Sequence, residues 1–174
     1  MRTSAYVAWS GHLSAMQACR PGMHEYEFDA DLLHEFRSAG MVPAYPSIVG
    51  GGENGCILHY TANASELRGG DLLLIDAGAE YDCYASDVTR TFPVSGRFSE
   101  AQKALYEVVL AAQLAAIKKV APGNHWNAPH TAAVRVLTRG LIRLGILTVS
   151  YTHLTLPTIN GECGGGGGGG GGGG

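Results

Sequence analysis

The sequence predicts an α+β fold. Two helical segments come first, a group of short extended segments follows, and two further helical segments complete the pattern. Strands gathered between helices favour an α+β arrangement over alternating βαβ units. No internal repeat is present and no linker interrupts the pattern before residue 147, so we expect residues 1–147 to form one structural unit.

The first two helices are predicted at residues 4–19 and 26–39. The residues Arg20-Pro21-Gly22 end the first helix, because proline and glycine interrupt helical hydrogen bonding. In the second helix, apolar side chains recur every four residues and form one face. They are Phe28, Leu32 and Phe36. Gly40 provides a C-terminal stop. We interpret the acidic residues at the start of this helix as its polar first-turn face. They are Glu25, Glu27, Asp29 and Asp31.

Four strands are predicted at residues 46–49, 56–60, 72–77 and 84–92, each bounded by glycine or asparagine clusters. The stretch "GGGENG" before the second strand matches the pattern G-x-G-x-x-G of dinucleotide-binding proteins. That pattern needs a helix after the glycines, whereas "CILHY" reads as a strand, which argues against nucleotide binding. We interpret the glycines as positions where the loop passes close to other backbone.

The third helix is predicted to begin at the capping box Ser99-Glu100-Ala101-Gln102 and to end at Pro122-Gly123. Its predicted inner face is apolar and consists of Leu105, Val109, Ala112, Ala116 and Val120. The fourth helix is predicted at residues 129–144, with Pro129 in its first turn and Gly145 as its cap.

Composition excludes several classes of function. The chain is 45% hydrophobic and 16% charged, with a formal net charge of −3. These values are ordinary for a globular domain and give no basic surface for nucleic acid. No apolar run approaches the ~20 residues of a membrane span, and no signal-peptide core is found near Met1. The four cysteines form no C-x-x-C pair, so we expect reduced thiols and a cytoplasmic location.

The C-terminal part of the sequence has an abnormal composition. Residues 164–174 are all glycine, and the preceding "VSYTHLTLPTIN" is similar to translated sequencing-adapter DNA. A run of G bases encodes glycine in every reading frame. We therefore expect residues 148–174 to be a non-native tail and exclude them from the fold.

Two aspartates stand out in the stretch "LLLIDAGAEYDCYASDVTRTFPV". If Tyr81 and Asp82 form a hairpin turn, Asp76 and Asp87 face each other with Cβ atoms ~4.5–5.5 Å apart. Two carboxylates at that distance repel by ~3–4 kcal/mol at an effective dielectric constant near 20. Either a shared proton or a bound cation would relieve this repulsion. The alternative is that Asp76 begins a turn and that Asp87 is a solvated residue at a strand end.

Three motifs carry a resemblance to a known family. The stretches "ILHYTAN", "IDAG" and "SDVTRTFPV" occur here in the order and spacing found in aminopeptidase P, the Xaa-Pro aminopeptidases of the pita-bread metallopeptidases. The resemblance covers residues 4–147. It implies a pita-bread fold truncated to its first half, in which residues 1–147 are the N-terminal half of the catalytic domain.

The resemblance also implies a site and a reaction. Asp76 and Asp87 match metal ligands, and His59 matches a catalytic, substrate-binding histidine that stabilises the reacting peptide. The alternative for His59 is a hydrogen-bonded core histidine. The implied cofactors are two divalent ions, expected to be manganese, with cobalt or zinc as alternatives. The implied reaction releases the N-terminal residue from peptides with proline in second position.

The family completes its metal site with one histidine and two glutamates that match nothing in this sequence. We therefore expect the 174-residue chain itself to bind metal weakly and to be inactive. The implied partner is a peptide substrate, with no nucleic acid and no membrane, and a homo-oligomeric parent remains open. Two alternatives also remain, namely a prolidase-like dipeptidase and a non-catalytic pita-bread binding module.

Overall fold

A computed structural model describes residues 1–148 of the chain. The helices are α1 (Arg2–Ala18), α2 (Glu25–Ser38), α3 (Glu100–Ile117) and α4 (Ala128–Arg143). The strands are β1 (Val42–Pro43), β2 (Ile48–Gly51), β3 (Leu72–Ala77), β4 (Ala79–Tyr81), β5 (Tyr84–Ala85) and β6 (Val88–Pro93). Apart from residue 148, the predicted tail lies outside the described residues. The strands fall between two pairs of helices, so the predicted α+β organisation is confirmed.

The four predicted helices are all present, but α3 ends at Ile117, well before its predicted stop at Pro122. The apolar face of α2 is confirmed, because Phe28, Leu32 and Phe36 are fully buried. At its C-terminal end Gly40 adopts φ 73°, and the next amide, of Met41, donates to the carbonyl of Phe36. This geometry closes the last turn of the helix with a residue that tolerates left-handed φ.

The strands form two antiparallel three-stranded sheets. One has the order β2-β3-β6 and the other the order β1-β4-β5. The predicted strand at residues 84–92 is divided between β5 and β6, and the first predicted strand begins two residues later than expected, at Ile48. The predicted strand at residues 56–60 is wrong. A short 3-10 helix, Gly52–Cys56, and a turn occupy that region, because Ile57 and Leu58 are exposed and pair with no neighbouring strand.

The core lies between the sheet β2-β3-β6 and the pair α1–α2. Alternate residues of β3 point into it, and Leu73, Ile75 and Ala77 are fully buried. Each fully buried leucine or isoleucine contributes roughly 1.5–3 kcal/mol relative to an exposed one. Because side chains alternate along a strand, Asp76 belongs to the opposite, open face of the sheet.

Helices α3 and α4 form an antiparallel pair. The predicted capping box at the start of α3 is confirmed: the amide of Gln102 donates to Ser99 Oγ at 3.2 Å, and the amide of Ser99 donates to Gln102 Oε1 at 2.9 Å. Within α3, Val108 packs directly over Gly140 of α4.

The predicted inner face of α3 is wrong for most of its length. Ala112 is buried, but Leu105 is 41% exposed, Val109 51% and Val120 74%. The physical reason is that α4 covers only one side of the apolar stripe, while Leu105 and Val109 on the other side line an open pocket against β3 and β6. In this part of the chain, no helix has the length and apolar character needed to cross a membrane.

Candidate active site

The turn of the β-hairpin lies one residue later than predicted. Tyr81 pairs with Tyr84, and the two residues between them, Asp82 and Cys83, have φ values of 50° and 67°. Positive φ at both central positions is characteristic of a type I′ turn, whose twist matches that of the strands. The predicted turn at Tyr81-Asp82 is therefore wrong, because a cysteine gives no sequence signal for positive φ.

This turn changes the pairing of the two aspartates. Asp76 lies opposite Thr89 rather than opposite Asp87, so the predicted direct pairing is wrong. Asp87 immediately precedes β6 and is two residues from Thr89, which makes it a diagonal neighbour of Asp76 on the same face of the sheet. The two side chains therefore still point towards a common space, although along a diagonal.

Tyr45 joins the two carboxylates. Its hydroxyl lies 2.6 Å from Asp76 Oδ1 and 3.2 Å from Asp87 Oδ1. A hydroxyl carries one proton, so the shorter contact with Asp76 is the stronger hydrogen bond. Since both carboxylate oxygens contact one atom, they lie within about 6 Å of each other.

The environment of Tyr45 keeps its hydroxyl protonated. Burial raises the pKa of Tyr45 well above its ordinary value, and the hydrogen bond that Tyr45 donates to Asp76 and the charges of Asp76 and Asp87 raise the pKa further. Tyr45 is therefore a hydrogen-bond donor to the carboxylates throughout the physiological pH range. It stabilises two like charges that would otherwise repel.

The aspartates line a pocket of about 390 Å³ on the open face of the sheet. The other lining residues are Tyr45, Pro46, Ile48, His59 and Thr61. The pocket therefore brings together all three residues that the sequence singled out, His59, Asp76 and Asp87. The two that lie furthest apart in the chain are His59 and Asp87, which are separated by 28 positions.

His59 reaches the pocket from a loop rather than from a strand. We call residues 52–65 the His59 loop. His59 itself has φ 54° and is exposed, so the alternative of a core histidine is wrong. Left-handed φ in a residue other than glycine costs roughly 1 kcal/mol or more and persists where the surroundings hold it in place.

The glycines before His59 have the role expected from their sequence. A Cβ atom on Gly50 would lie 2.8 Å from the amide nitrogen of Gly55 and 2.9 Å from the carbonyl carbon of Asn54. No side chain fits between these backbone segments. The interpretation of "GGGENG" as a close backbone approach is confirmed.

Asn63 ties the far end of the His59 loop to the sheet. Its buried amide accepts a hydrogen bond from the Val49 amide at 3.0 Å and donates one to the Ser47 carbonyl at 2.9 Å. The Asn63 side chain thus forms the hydrogen bonds at the edge of β2 that a neighbouring strand would otherwise form.

The residues in the pocket fit a divalent cation, but as an incomplete ligand set. Carboxylate oxygens are the hard ligands that such cations prefer, and Asp76 and Asp87 supply them from one face. Among residues 1–148, no group of three or more His, Cys, Asp or Glu side chains is placed to hold a metal ion.

Two residues that shape the site were missed from the sequence. Tyr45 lies in a loop without periodicity or motif, so nothing local marks it. Glu25 was interpreted as part of the polar first-turn face of α2. It does lie in the first turn, but its side chain is fully buried. Exposed acids are also common in the first turn of a helix, so the position of Glu25 in the sequence does not indicate burial. Only its neighbours in the tertiary structure show that it is buried.

Comparison with known proteins places the chain in a class. Residues 1–161 match the model of metallopeptidase family M24. The chain therefore belongs to metallopeptidase family M24.

Similar proteins within this class carry a more specific name. The chain is 50% identical over 148 residues to the Xaa-Pro aminopeptidase of Haemophilus influenzae and 47% identical to that of Escherichia coli, covering 84% of this chain and 34% of each relative. The chain thus spans about a third of the length of the curated relatives it matches.

Solved structures give the same result. The fold matches aminopeptidase PepP of Pseudomonas aeruginosa with a TM-score of 0.85 and 56% identity, covering 86% of this chain and 34% of that one. It matches proline aminopeptidase P II of Yersinia pestis with a TM-score of 0.83 and 51% identity, with the same coverage. The expected pita-bread architecture, present in part, is confirmed.

Proposed function

We propose that this chain is part of a metal-dependent aminopeptidase that releases the N-terminal residue from peptides with proline in second position. The observation that carries the proposal is the single pocket shared by Asp76, Asp87 and His59. The names of the relatives in Haemophilus influenzae and Escherichia coli support the substrate class. In this proposal residues 1–147 are the N-terminal half of the catalytic domain and residues 148–174 are non-native, although the family match extends to residue 161.

The proposed cofactors are two divalent ions, manganese in the first instance, with cobalt or zinc as alternatives. Asp76 and Asp87 would hold them together with ligands from outside the described residues. One Escherichia coli aminopeptidase P structure is described as zinc-substituted, which supports a divalent metal in that protein. When bound, the ions would activate water and polarise the carbonyl that precedes the proline.

The chain's own residues orient this chemistry. Tyr45 donates to the carboxylates and keeps both on the same side of the pocket. His59 lines the same pocket, so its imidazole is available to hydrogen-bond the bound peptide. In this way Asp76 and Asp87 define where the reaction occurs, and His59 defines how the peptide lies against them.

The remaining features support a peptide-processing enzyme in a reducing compartment. Cys19, Cys56 and Cys83 are free thiols, which supports our proposal of a cytoplasmic location. The net charge of −3 supports a peptide rather than a nucleic-acid partner.

The function is tested by peptide hydrolysis with the full-length protein. We expect metal-dependent cleavage of an Xaa-Pro-Yaa tripeptide, and cleavage of the matched Xaa-Ala-Yaa peptide about 10–200-fold more slowly. A chelator should stop both reactions. The 174-residue chain alone should show no hydrolysis above background, because two carboxylates leave each ion short of ligands.

The same assay separates the alternatives. Preferential cleavage of the dipeptide Xaa-Pro over the tripeptide would identify a prolidase-like dipeptidase instead. Peptide binding without hydrolysis by the metal-loaded protein would identify a binding module. Either outcome would contradict the aminopeptidase proposal.

Substitution of Tyr45 by phenylalanine tests how the carboxylates are held. We expect Tyr45→Phe to weaken metal binding by the full-length protein about 10–100-fold, because residues that hydrogen-bond metal ligands have effects of this size. Isothermal titration with Mn²⁺ measures the change. Tyr81→Phe is the matched control, since Tyr81 is 41% exposed in the same hairpin and does not line the pocket of the aspartates. Equal affinities in the two variants would show that the Tyr45 hydroxyl has no role in the site.

A further inference from the structure

Glu25 is the one buried acidic residue among the described residues, and its carboxylate is fully hydrogen-bonded. It lies in the first turn of α2, and its side chain is fully buried. Oε1 accepts hydrogen bonds from the amide of Gly51 at 2.8 Å and from Asn54 Nδ2 at 2.9 Å. Oε2 accepts hydrogen bonds from the hydroxyl of Tyr60 at 2.7 Å and from the amide of Ser65 at 2.9 Å.

These four partners lie on both sides of His59. Gly51 and Asn54 precede it, whereas Tyr60 and Ser65 follow it, and Tyr60 is its direct neighbour. One carboxylate therefore closes the two arms of the His59 loop onto the start of α2. The amide of Glu25 also donates to the carbonyl of Ser65 at 3.0 Å, which doubles the connection at the second arm.

Apolar packing does little to hold the tip of this loop. Ile57 is 54% exposed and Leu58 69% exposed, immediately before His59. The left-handed backbone of His59 therefore depends on the hydrogen bonds that flank it. Asn63 supplies two of these at the β2 edge, and Glu25 supplies four at the base of the loop.

The network requires an ionised carboxylate. A carboxylate is purely an acceptor, and the four groups that face it can all donate. Burial alone would raise the pKa of Glu25, but the hydrogen bonds from Asn54, Gly51, Ser65 and Tyr60 outweigh burial and the pKa is lowered. A glutamine of the same shape would turn an NH₂ group towards at least one backbone amide, that of Gly51 or that of Ser65. Neither amide can become an acceptor.

We propose that Glu25 is a positioning residue for the peptidase reaction, whose buried carboxylate holds the His59 loop in the conformation that directs His59 into the pocket of Asp76 and Asp87. This inference rests on the proposed function. Glu25 does not line the pocket, and its four partners flank His59, so we expect its effect on the reaction to pass through the loop and His59.

The test compares Glu25→Gln with His59→Ala and with the double variant in the full-length protein. We expect Glu25→Gln to lower kcat/KM for an Xaa-Pro-Yaa peptide about 10–100-fold, because a displacement of about 1 Å in a reacting group has effects of this order. Bound metal, measured by elemental analysis, should be unchanged, since Asp76 and Asp87 are untouched. In the His59→Ala background, Glu25→Gln should cause less than about a twofold further loss.

The matched control is Asp31→Asn, which removes a carboxylate from an exposed position of the same helix and should leave kcat/KM unchanged. If the losses caused by Glu25→Gln and His59→Ala multiply in the double variant, or if metal content falls in parallel with activity, Glu25 has a general structural role and the proposal is overturned. A folded Glu25→Gln variant with the activity of Asp31→Asn overturns it as well.

A second variant covers the case in which Glu25→Gln does not fold. Tyr60→Phe keeps the carboxylate but removes the hydroxyl beside His59, which donates to Glu25 Oε2 and accepts from Asn54 Nδ2 and the amide of Ala64. It should lower kcat/KM several-fold, again with no further loss in the His59→Ala background; a multiplied loss overturns the proposal.

Failure of the proposed function is recognised separately, because wild-type protein would then hydrolyse no Xaa-Pro peptide. In that case the NMR resonances of the His59 imidazole in the full-length protein test the positioning role. They should shift in Glu25→Gln and not in Asp31→Asn. Unchanged resonances overturn the positioning role.

Discussion

Replacing Asp76 by asparagine in the full-length protein is expected to lower hydrolysis of Xaa-Pro peptides about a thousandfold. Asparagine keeps the size of the side chain and an oxygen that can accept from Tyr45, but it removes the negative charge. Loss of a metal-binding carboxylate forfeits roughly 4 kcal/mol of transition-state stabilisation, which corresponds to that factor in rate. Elemental analysis should show less than the wild-type content of Mn²⁺, and Asp87→Asn should behave in the same way.

Asp82→Asn is the matched control for this experiment. Asp82 belongs to the same hairpin and its substitution removes the same charge, but it lies in the turn with φ 50°, where asparagine is well tolerated. Its metal content and activity should equal those of the wild type. Wild-type hydrolysis by Asp76→Asn would remove the chemical basis of the proposed metal centre.

Replacing Gly78 by alanine is expected to damage both stability and activity. Gly78 lies where β3 passes into β4, and a Cβ atom there would overlap the carbonyl oxygen of Ser86 and lie 2.6 Å from its carbon. The same Cβ atom would lie 3.2 Å from the ring of Tyr45. Ser86 is backbone-adjacent to Asp87, so relief of the clash must displace a predicted metal ligand or the tyrosine that contacts it.

The displaced segment is firmly held, which makes the clash costly. Ser86 is buried, its amide donates to the carbonyl of Ala79 at 2.9 Å, and its hydroxyl accepts from the amide of Ala79 at 3.0 Å. Overpacking of this kind costs about 1–3 kcal/mol. We therefore expect Gly78→Ala to lower the free energy of unfolding of the full-length protein by that amount and to weaken Mn²⁺ binding at least tenfold.

Gly69→Ala provides the comparison, because the nearest atom to its new Cβ would be Pro21 Cγ at an ordinary 3.6 Å. Chemical denaturation and Mn²⁺ titration of both variants measure the difference. If Gly78→Ala is as stable and binds metal as tightly as Gly69→Ala, the close approach at Ser86 does not constrain the site.

The helices were predictable because their signals are local. The apolar repeat of α2, the capping box of α3 and the glycine at the end of α2 each act within a few residues, and each is found as predicted. The strand at residues 56–60 was not predictable in the same way. "CILHY" has the composition of a strand, but a strand also needs a partner, and the neighbouring glycine segment leads Ile57 and Leu58 to the surface instead.

The same distinction applies to the aspartates. Their placement on one face of one hairpin follows from sequence, because strand side chains alternate and the motifs lie on consecutive strands. Their diagonal rather than direct pairing follows from the type I′ turn at Asp82 and Cys83, since a shift of one residue in the turn moves every pair by two. The contact between Tyr45 and both carboxylates joins residues 31 and 42 positions apart and has no local signature.

The amino-acid sequence by itself determined the α+β class and the four helices, and the resemblance of its motifs to a known family singled out the three pocket residues His59, Asp76 and Asp87. Periodicity, capping and motif order act over short distances along the chain, so they can be recognised from the sequence alone. Tertiary structure alone decided the register of the hairpin, the role of Tyr45 and the burial of Glu25. Each of these depends on which distant groups meet in space, because the state of a carboxylate is set by the donors around it rather than by its neighbours in sequence.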